Sequence, residues 1–164
     1  MAHIIIPMPL WGFHSGDKIG ITNPYARRGL RMNADDDVMA IRKLIDDWSA
    51  AVRRRDYGGA LENRSADILM FDVPPPFQSE GIDAYRKTWD VFFRWMADPP
   101  IFNFSDLRVT AGTDVAFATA HGKCVGIEKD GTRSELDFRL TVGLRKSGGK
   151  WVIVHEHHSL PATS

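Results

Sequence analysis

The chain has one cysteine in 164 residues, equal numbers of acidic and basic residues (21 each), and no long uninterrupted apolar run. A single Cys124 excludes an internal disulfide and fits a reducing, cytoplasmic setting. Zero formal charge means no net field to gather nucleic acid or an anionic membrane surface. No segment approaches the roughly 20 apolar residues of a membrane span. Ile4-Ile5-Ile6 is broken by Pro7 and Pro9, and it lacks the basic flank and small-x-small site of a signal peptide. Gly-x-Gly-x-x-Gly, P-loop and Gly-x-Ser-x-Gly patterns are also missing, so neither a nucleotide cofactor nor a serine-elbow nucleophile is expected.

What remains is enough chain for one domain with its own core. Residues 1–33 carry no sustained period and hold four glycines and three prolines, so they read as an N-terminal arm or extension. Its Ile4, Ile5, Ile6, Leu10, Trp11 and Phe13 call for burial along the chain's own sheet or a partner subunit. The domain proper is expected over residues 34–164. Asp35-Asp36-Asp37 suits a helix N-terminus, and Val38, Ile41, Ile45, Trp48 and Val52 follow as one apolar stripe ending near Arg55. Asp56 is placed to cap a short second helix over Tyr57, Ala60 and Leu61. Ile68–Val73 reads as a strand stopped by Pro74-Pro75-Pro76. A third helix over Ile82–Met96 shows the stripe Ile82, Tyr85, Trp89, Phe92 and Met96, with Phe93 and Trp95 off it.

The remainder reads as β: Phe102–Thr110, Val115–Glu128, Arg133–Arg145 and Trp151–Ser159. Asp130-Gly131 and Gly148-Gly149 supply hairpin turns. Ala116, Ala118, Ala120, Gly122 and Cys124 make a small-residue face on which helices could lie close. Helices first and a meander afterwards give an α+β fold, with helices packed on one face of a curved sheet. In the last strand, simple alternation puts Trp151, Ile153, His155 and His157 on one face and Val152, Val154, Glu156 and His158 on the other. The first face runs apolar into two imidazoles, as a pocket with a polar end would.

The ordered set Ile45-Asp46-Asp47-Trp48-Ser49-Ala50-Ala51-Val52, Phe71-Asp72-Val73-Pro74-Pro75-Pro76, Gly81-Ile82-Asp83-Ala84-Tyr85-Arg86, Asp114-Val115-Ala116-Phe117-Ala118, Arg139-Leu140-Thr141 and Gly149-Lys150-Trp151 through Pro161 resembles the nuclear-transport-factor-2-like superfamily, in its SnoaL-like, ketosteroid-isomerase-like group. The resemblance implies a cystatin-like cone: three N-terminal helices packed in a strongly curved antiparallel sheet, a pocket at one end, and a homodimer formed through the sheet's outer face. It implies nothing firm about activity, because the fold hosts isomerases, dehydratases, cyclases and binding modules alike.

Within that frame Asp72 is the candidate general base, or else a turn-capping aspartate ahead of the prolines. The isomerase group's first-helix tyrosine falls at Trp48, which offers one N–H and no phenol, so a true steroid isomerase is not expected. His155 and His157 serve as a polar pocket end or proton shuttle, or one of them satisfies a buried carbonyl while the other is exposed. Their spacing also suits a metal, but a third ligand is not evident and no metal is assigned. Arg139 either turns into the pocket to meet a ligand carboxylate or stays exposed beside Asp137 or Glu156. Trp48, Tyr57, Trp89, Phe92, His121 and Ile153 are the expected pocket lining. His158 is expected to face solvent. The expected activity is cofactor-free isomerisation, cyclisation or dehydration of a mostly apolar small molecule. The alternative is a non-catalytic ligand-binding or oligomerisation module resembling the calcium/calmodulin-dependent kinase II association domain. No nucleic-acid or membrane partner is expected.

Overall fold

The computed structural model describes residues 24–162, with the backbone alone for residues 24–33. The expected packing of the apolar arm therefore lies outside the described residues. Helix α1 spans Pro24–Arg53, α2 Tyr57–Leu61 and α3 Ile82–Trp95; the strands are β1 Arg64–Phe71, β2 Ser79–Glu80, β3 Ile101–Ala111, β4 Val115–Ile127, β5 Arg133–Ser147 and β6 Lys150–Ser159. Among the described residues no helix is long and apolar enough to cross a membrane.

The α+β architecture is the expected one: three helices and a curled six-stranded sheet of order β2-β1-β6-β5-β4-β3. The sheet is antiparallel except that β1 runs parallel to β6. Most of each apolar stripe is buried: Ile41, Ile45, Trp48 and Val52 of α1 share one core with Tyr85 and Trp89 of α3, with Met96 just beyond it and with the inner face of the sheet, while Val38, Ile82 and Phe92 are half-buried. Phe93, read as off the α3 stripe, is also in that core, whereas Trp95 is exposed. Asp56 caps α2 by accepting from the Gly59 N–H at 3.0 Å.

Helix α1 starts earlier than the acidic triplet suggests, with Pro24 in its first turn, where a missing N–H is harmless. Asp37 consequently lies inside the helix. It acts as a pin to the sheet: Lys146 Nζ and the Trp151 indole N–H reach its two oxygens at 2.8 and 2.9 Å. The Lys146 hydrogen bond holds the Asp37 carboxyl below its ordinary range.

The small-residue face of β4 is buried as expected. Gly122 is there for close approach: a Cβ at that position would stand 2.3 Å from Phe138 Cζ. Gly126 is similarly close to Met96, at 2.4 Å from the flexible thioether sulfur. Burial also pushes the Cys124 thiol up to about 11, which leaves it a packing residue. We expect Gly122→Ala to cost about 1–3 kcal/mol in urea unfolding, because a core ring must move. Gly126→Ala should cost less, because a methionine can re-rotamer. Equal midpoints for the two variants would contradict this account of the packing.

Candidate functional site

The last strand decides the site. β5 and β6 pair in register from Arg139↔Ser159 to Gly143↔His155, and then the register slips so that Leu144 faces Ile153. Val154 is thus an extra residue, a β-bulge. An extra residue resets alternation. Trp151 and Ile153 point into the core, and beyond the bulge Glu156 and His158 do so, across from the buried Val142 and Leu140. His155 and His157 are turned to the other face, where both rings meet Phe71 edge-on.

This corrects the expectation that His155 and His157 continue the Trp151–Ile153 face and that His158 faces solvent. His155 Nδ1 is 2.8 Å from the Leu69 carbonyl oxygen. The local signal was Gly143: a glycine inside a strand marks a bulge or a close backbone approach. A Cβ there would lie 3.2 Å from that of His155.

Inside the cone the inward residues form a connected polar cluster. The Glu156 side chain is 0% exposed and that of Arg64 1%. Tyr85 Oη donates to Glu156 Oε2 at 2.9 Å, and Arg64 Nη2 approaches the same oxygen at 3.5 Å. Arg64 Nε also donates to Tyr85 Oη at 3.1 Å. The guanidinium lies 4.6 Å from the Trp48 ring centroid and 5.5 Å from that of Tyr85, a cation–π clamp. On the other side of the carboxylate, His158 Nε2 stands 3.2 Å from Glu156 Oε1, while His158 Nδ1 is 3.0 Å from Asp72 Oδ1. The imidazole is stacked along Trp48, with centroids 6.5 Å apart, and sits 4.8 Å from the Phe138 ring.

Two carboxylates and two cationic side chains are therefore matched in a setting lined by rings. Burial works against a charged His158, but the hydrogen bond to Asp72 and the negative charge of Asp72 and Glu156 outweigh it and push its pKa up to about 9. At neutral pH His158 is an imidazolium. Burial, reinforced by Glu156, drives the Tyr85 phenol far above its ordinary value, so it remains a donor.

Asp72, expected as base or turn cap, has both geometries. It follows directly on β1, accepts from the Val73 N–H at 2.8 Å, and contacts His158; its side chain is 22% exposed against 10% for His158. The sequence reading did not include Glu156, His158, Arg64 or Tyr85 in the site. An acid and three imidazoles closing an apolar strand were the available signal, and the bulge reassigned which of them point inward.

The other expected residues separate. Trp48, Trp89 and Ile153 lie in the packed core. Tyr57 and Phe92 are half-buried against it, with Tyr57 Oη donating to the Arg86 carbonyl at 3.2 Å. Arg139 is exposed and donates to the Leu160 carbonyl at 2.7 Å, so it does not enter the interior. His121, also exposed, pairs with Asp106 at 3.1 Å. Both belong to a recess of about 540 Å³ across β3, β4 and β5 that ends at Pro161. A smaller crevice of about 190 Å³ between α1, α2 and the start of β1 reaches Trp48 and Arg64.

Residues 41–163 match the SnoaL-like domain family. A solved NTF2-like protein of unknown function from Pseudomonas putida KT2440 is 35% identical, with a TM-score of 0.68, covering 75% of this chain and 85% of that one. An NTF2-like protein with a cystatin-like fold from Novosphingobium aromaticivorans is 20% identical, with a TM-score of 0.72 and coverage of 85% and 91%. A candidate scytalone dehydratase from Novosphingobium aromaticivorans DSM 12444 is 16% identical, with a TM-score of 0.69 and coverage of 78% and 86%. The search of curated proteins finds no match. With its inward-facing polar cluster held in a cystatin-like cone and most of its length matched, this chain belongs to the SnoaL-like domain family of the NTF2-like superfamily.

Proposed function

We propose that the chain binds a neutral, mostly apolar small molecule and carries out cofactor-free acid–base chemistry on it, of the isomerisation or dehydration type. One observation carries this reading: the His158 imidazole buried among aromatic rings and held between two carboxylates, Asp72 and Glu156. The three groups grade from partly exposed to fully buried and so form a path for a proton between the interior and the rim. Asp72 takes a carbon-bound proton, His158 supplies one to the substrate oxygen, and Glu156, fixed by Tyr85 and Arg64, holds the charge of the imidazolium. The similarity to a candidate dehydratase supports the fold that such chemistry uses.

A second reading has support on the outside of the sheet. Phe117 is 53% exposed on β4, in the row that continues through Gly143 to His155. A second copy of the chain seated on that face would cover it. This is the homodimer suggested by the resemblance, and it is compatible with either catalysis or pure binding. We expect wild type to sediment as a dimer and Phe117→Asp to sediment as a monomer; a monomeric wild type would remove this reading.

The acid–base reading is checked by deuterium incorporation from solvent next to the carbonyl of a panel of cyclic ketones and hydroxyketones, followed by proton NMR. Wild type should exchange at least one of them. His158→Gln and Asp72→Asn should each lose about 100-fold or more, while His155→Gln and His157→Gln stay within about twofold. Undiminished exchange in His158→Gln would sink the assignment.

The raised pKa of His158 has a consequence for stability. Its contribution is complete below 6.5, its ordinary value, and is lost as pH rises through about 9. We expect thermal unfolding between pH 6.5 and 10 to show a loss on the order of 2–3 kcal/mol in wild type, largely absent in His158→Gln. A histidine ring-proton titration with its midpoint near 6.5 for His158 would refute the charged-pair geometry.

A further inference from the structure

The recess of about 540 Å³ across β3, β4 and β5 has no member of the interior cluster in its lining. Strand pairing lays out its walls. Asn103, Lys123 and Asp137 stand side by side across the three strands, and two residues further along each strand Ser105, His121 and Arg139 do the same. All six are exposed. Phe104, Gly122 and Phe138 lie between the rows, and the two rings turn the other way, toward the core. The rows are therefore on the outer face, about 7 Å apart. The volume is that of a small-molecule site, for which roughly 300–1,000 Å³ is usual.

Charge on these walls is answered everywhere but at one residue. Lys123 pairs with Glu135 and, at 3.5 Å, with Asp137. The hydrogen bond to Glu135 holds its ammonium above the ordinary range. His121 Nδ1 is 3.1 Å from Asp106 Oδ2. Arg139, directly opposite His121, has no carboxylate within ion-pair distance among the described residues. Its guanidinium makes one hydrogen bond there, from Nη2 to the Leu160 carbonyl at 2.7 Å. A guanidinium carries five N–H donors in a planar fork, so most of this one is left for a partner outside the fold. The interior differs in this respect. Its charges cancel, Arg64 and His158 against Asp72 and Glu156, and an added anion would be unmatched there.

We propose that this outer recess is a second small-molecule site, which takes a flat monocarboxylate, such as an aromatic acid, with its carboxylate on the Arg139 guanidinium. The planar fork matches the two oxygens of a carboxylate. One negative charge is enough, because Lys123 offsets Asp137 and His121 is held by Asp106, which leaves Arg139 as the surplus cation of the lining. The apolar body lies between the rows, where the methylene stems of Lys123 and Arg139 and the ring of Pro161 give it surface. A spacing of about 7 Å admits one flat ring system between facing side chains. Phe117 lies four residues from His121 along β4, about 13 Å away, so a second copy seated on Phe117 and a ligand on Arg139 use different parts of the face. The site is separate from the interior cluster and does not rest on its reading.

The test uses 1-naphthoate and 1-naphthamide, two probes of like shape of which only the first is charged. Each is titrated into full-length nitrogen-15-labelled protein at low ionic strength, where an exposed charge contact is least screened. Expected with 1-naphthoate is a shift of the Ser105, Gly122 and Arg139 backbone amides, with those of Trp48 and Glu156 still. The amide probe should bind about tenfold more weakly. Arg139→Gln should weaken 1-naphthoate by about the same factor, the worth of one charge-assisted contact at an exposed site, and leave 1-naphthamide within twofold. Arg139→Lys, which keeps the charge and loses the fork, should fall between.

The proposal is overturned if the recess amides do not move with 1-naphthoate, if the two probes bind equally, or if Arg139→Gln binds the acid as wild type does. His158→Gln should bind it unchanged; a loss there would put the ligand in the interior and overturn the outer site. The wild-type titration decides even where a variant fails to fold. Deuterium exchange on the ketone panel, which depends on His158, is read separately, so either result stands or falls without the other.

Discussion

A carboxylate with no solvent access, Glu156, is the constraint on which the interior depends. A lone buried charge costs several kcal/mol, and it is tolerated only where partners and hydrogen bonds match it. The partners here come from three separate elements: Tyr85 from α3, Arg64 from the start of β1, and His158 two residues further along β6. Satisfying one acid thus fixes α3 against the sheet, sets the depth of β1 beside β6, and turns His158 inward. Arg64 in its turn needs the faces of Trp48 and Tyr85 to replace water around its guanidinium. The cluster holds together as a unit, so removing any one member would leave another buried and unmatched.

The same arrangement holds ionisable groups inside the apolar core. The rings of Trp48 and Phe138 flank His158, and low local polarity strengthens every charge interaction inside. Asp72, at the end of β1, connects that interior to the rim. The opposite face of the sheet has another character. It carries His155, His157, Arg139 and His121, groups whose partners are carbonyl oxygens, exposed acids and aromatic edges. Two faces of one sheet divide a buried, charge-matched interior from an exterior of histidines and exposed polar groups.

Much of the architecture was legible in the chain. Stripes at helical spacing placed Ile41, Ile45, Trp48, Tyr85 and Trp89 in the core, because a helix buries the residues that recur every three or four positions. Asp130-Gly131 and Gly148-Gly149 placed two hairpins, and each of these three glycines takes a positive φ. Asp72 was singled out by its place between an apolar strand and three prolines. Less legible was the role of Asp37: an acidic triplet reads as a helix start, and nothing local shows that Lys146 and Trp151 will come to meet it from over a hundred residues away.

The composition and periodicity of this sequence determined the element order, the sheet's small-residue face and the presence of a terminal strand rich in ionisable groups, since those properties depend on neighbours in the chain. Which of those groups face inward was decided only by tertiary structure. A single unpaired residue, Val154, opposite Gly143 exchanged His155 and His157 for Glu156 and His158. Alternation is a local rule with a period of two, but its phase along β6 is set by pairing with β5, and one bulge inverts everything beyond it.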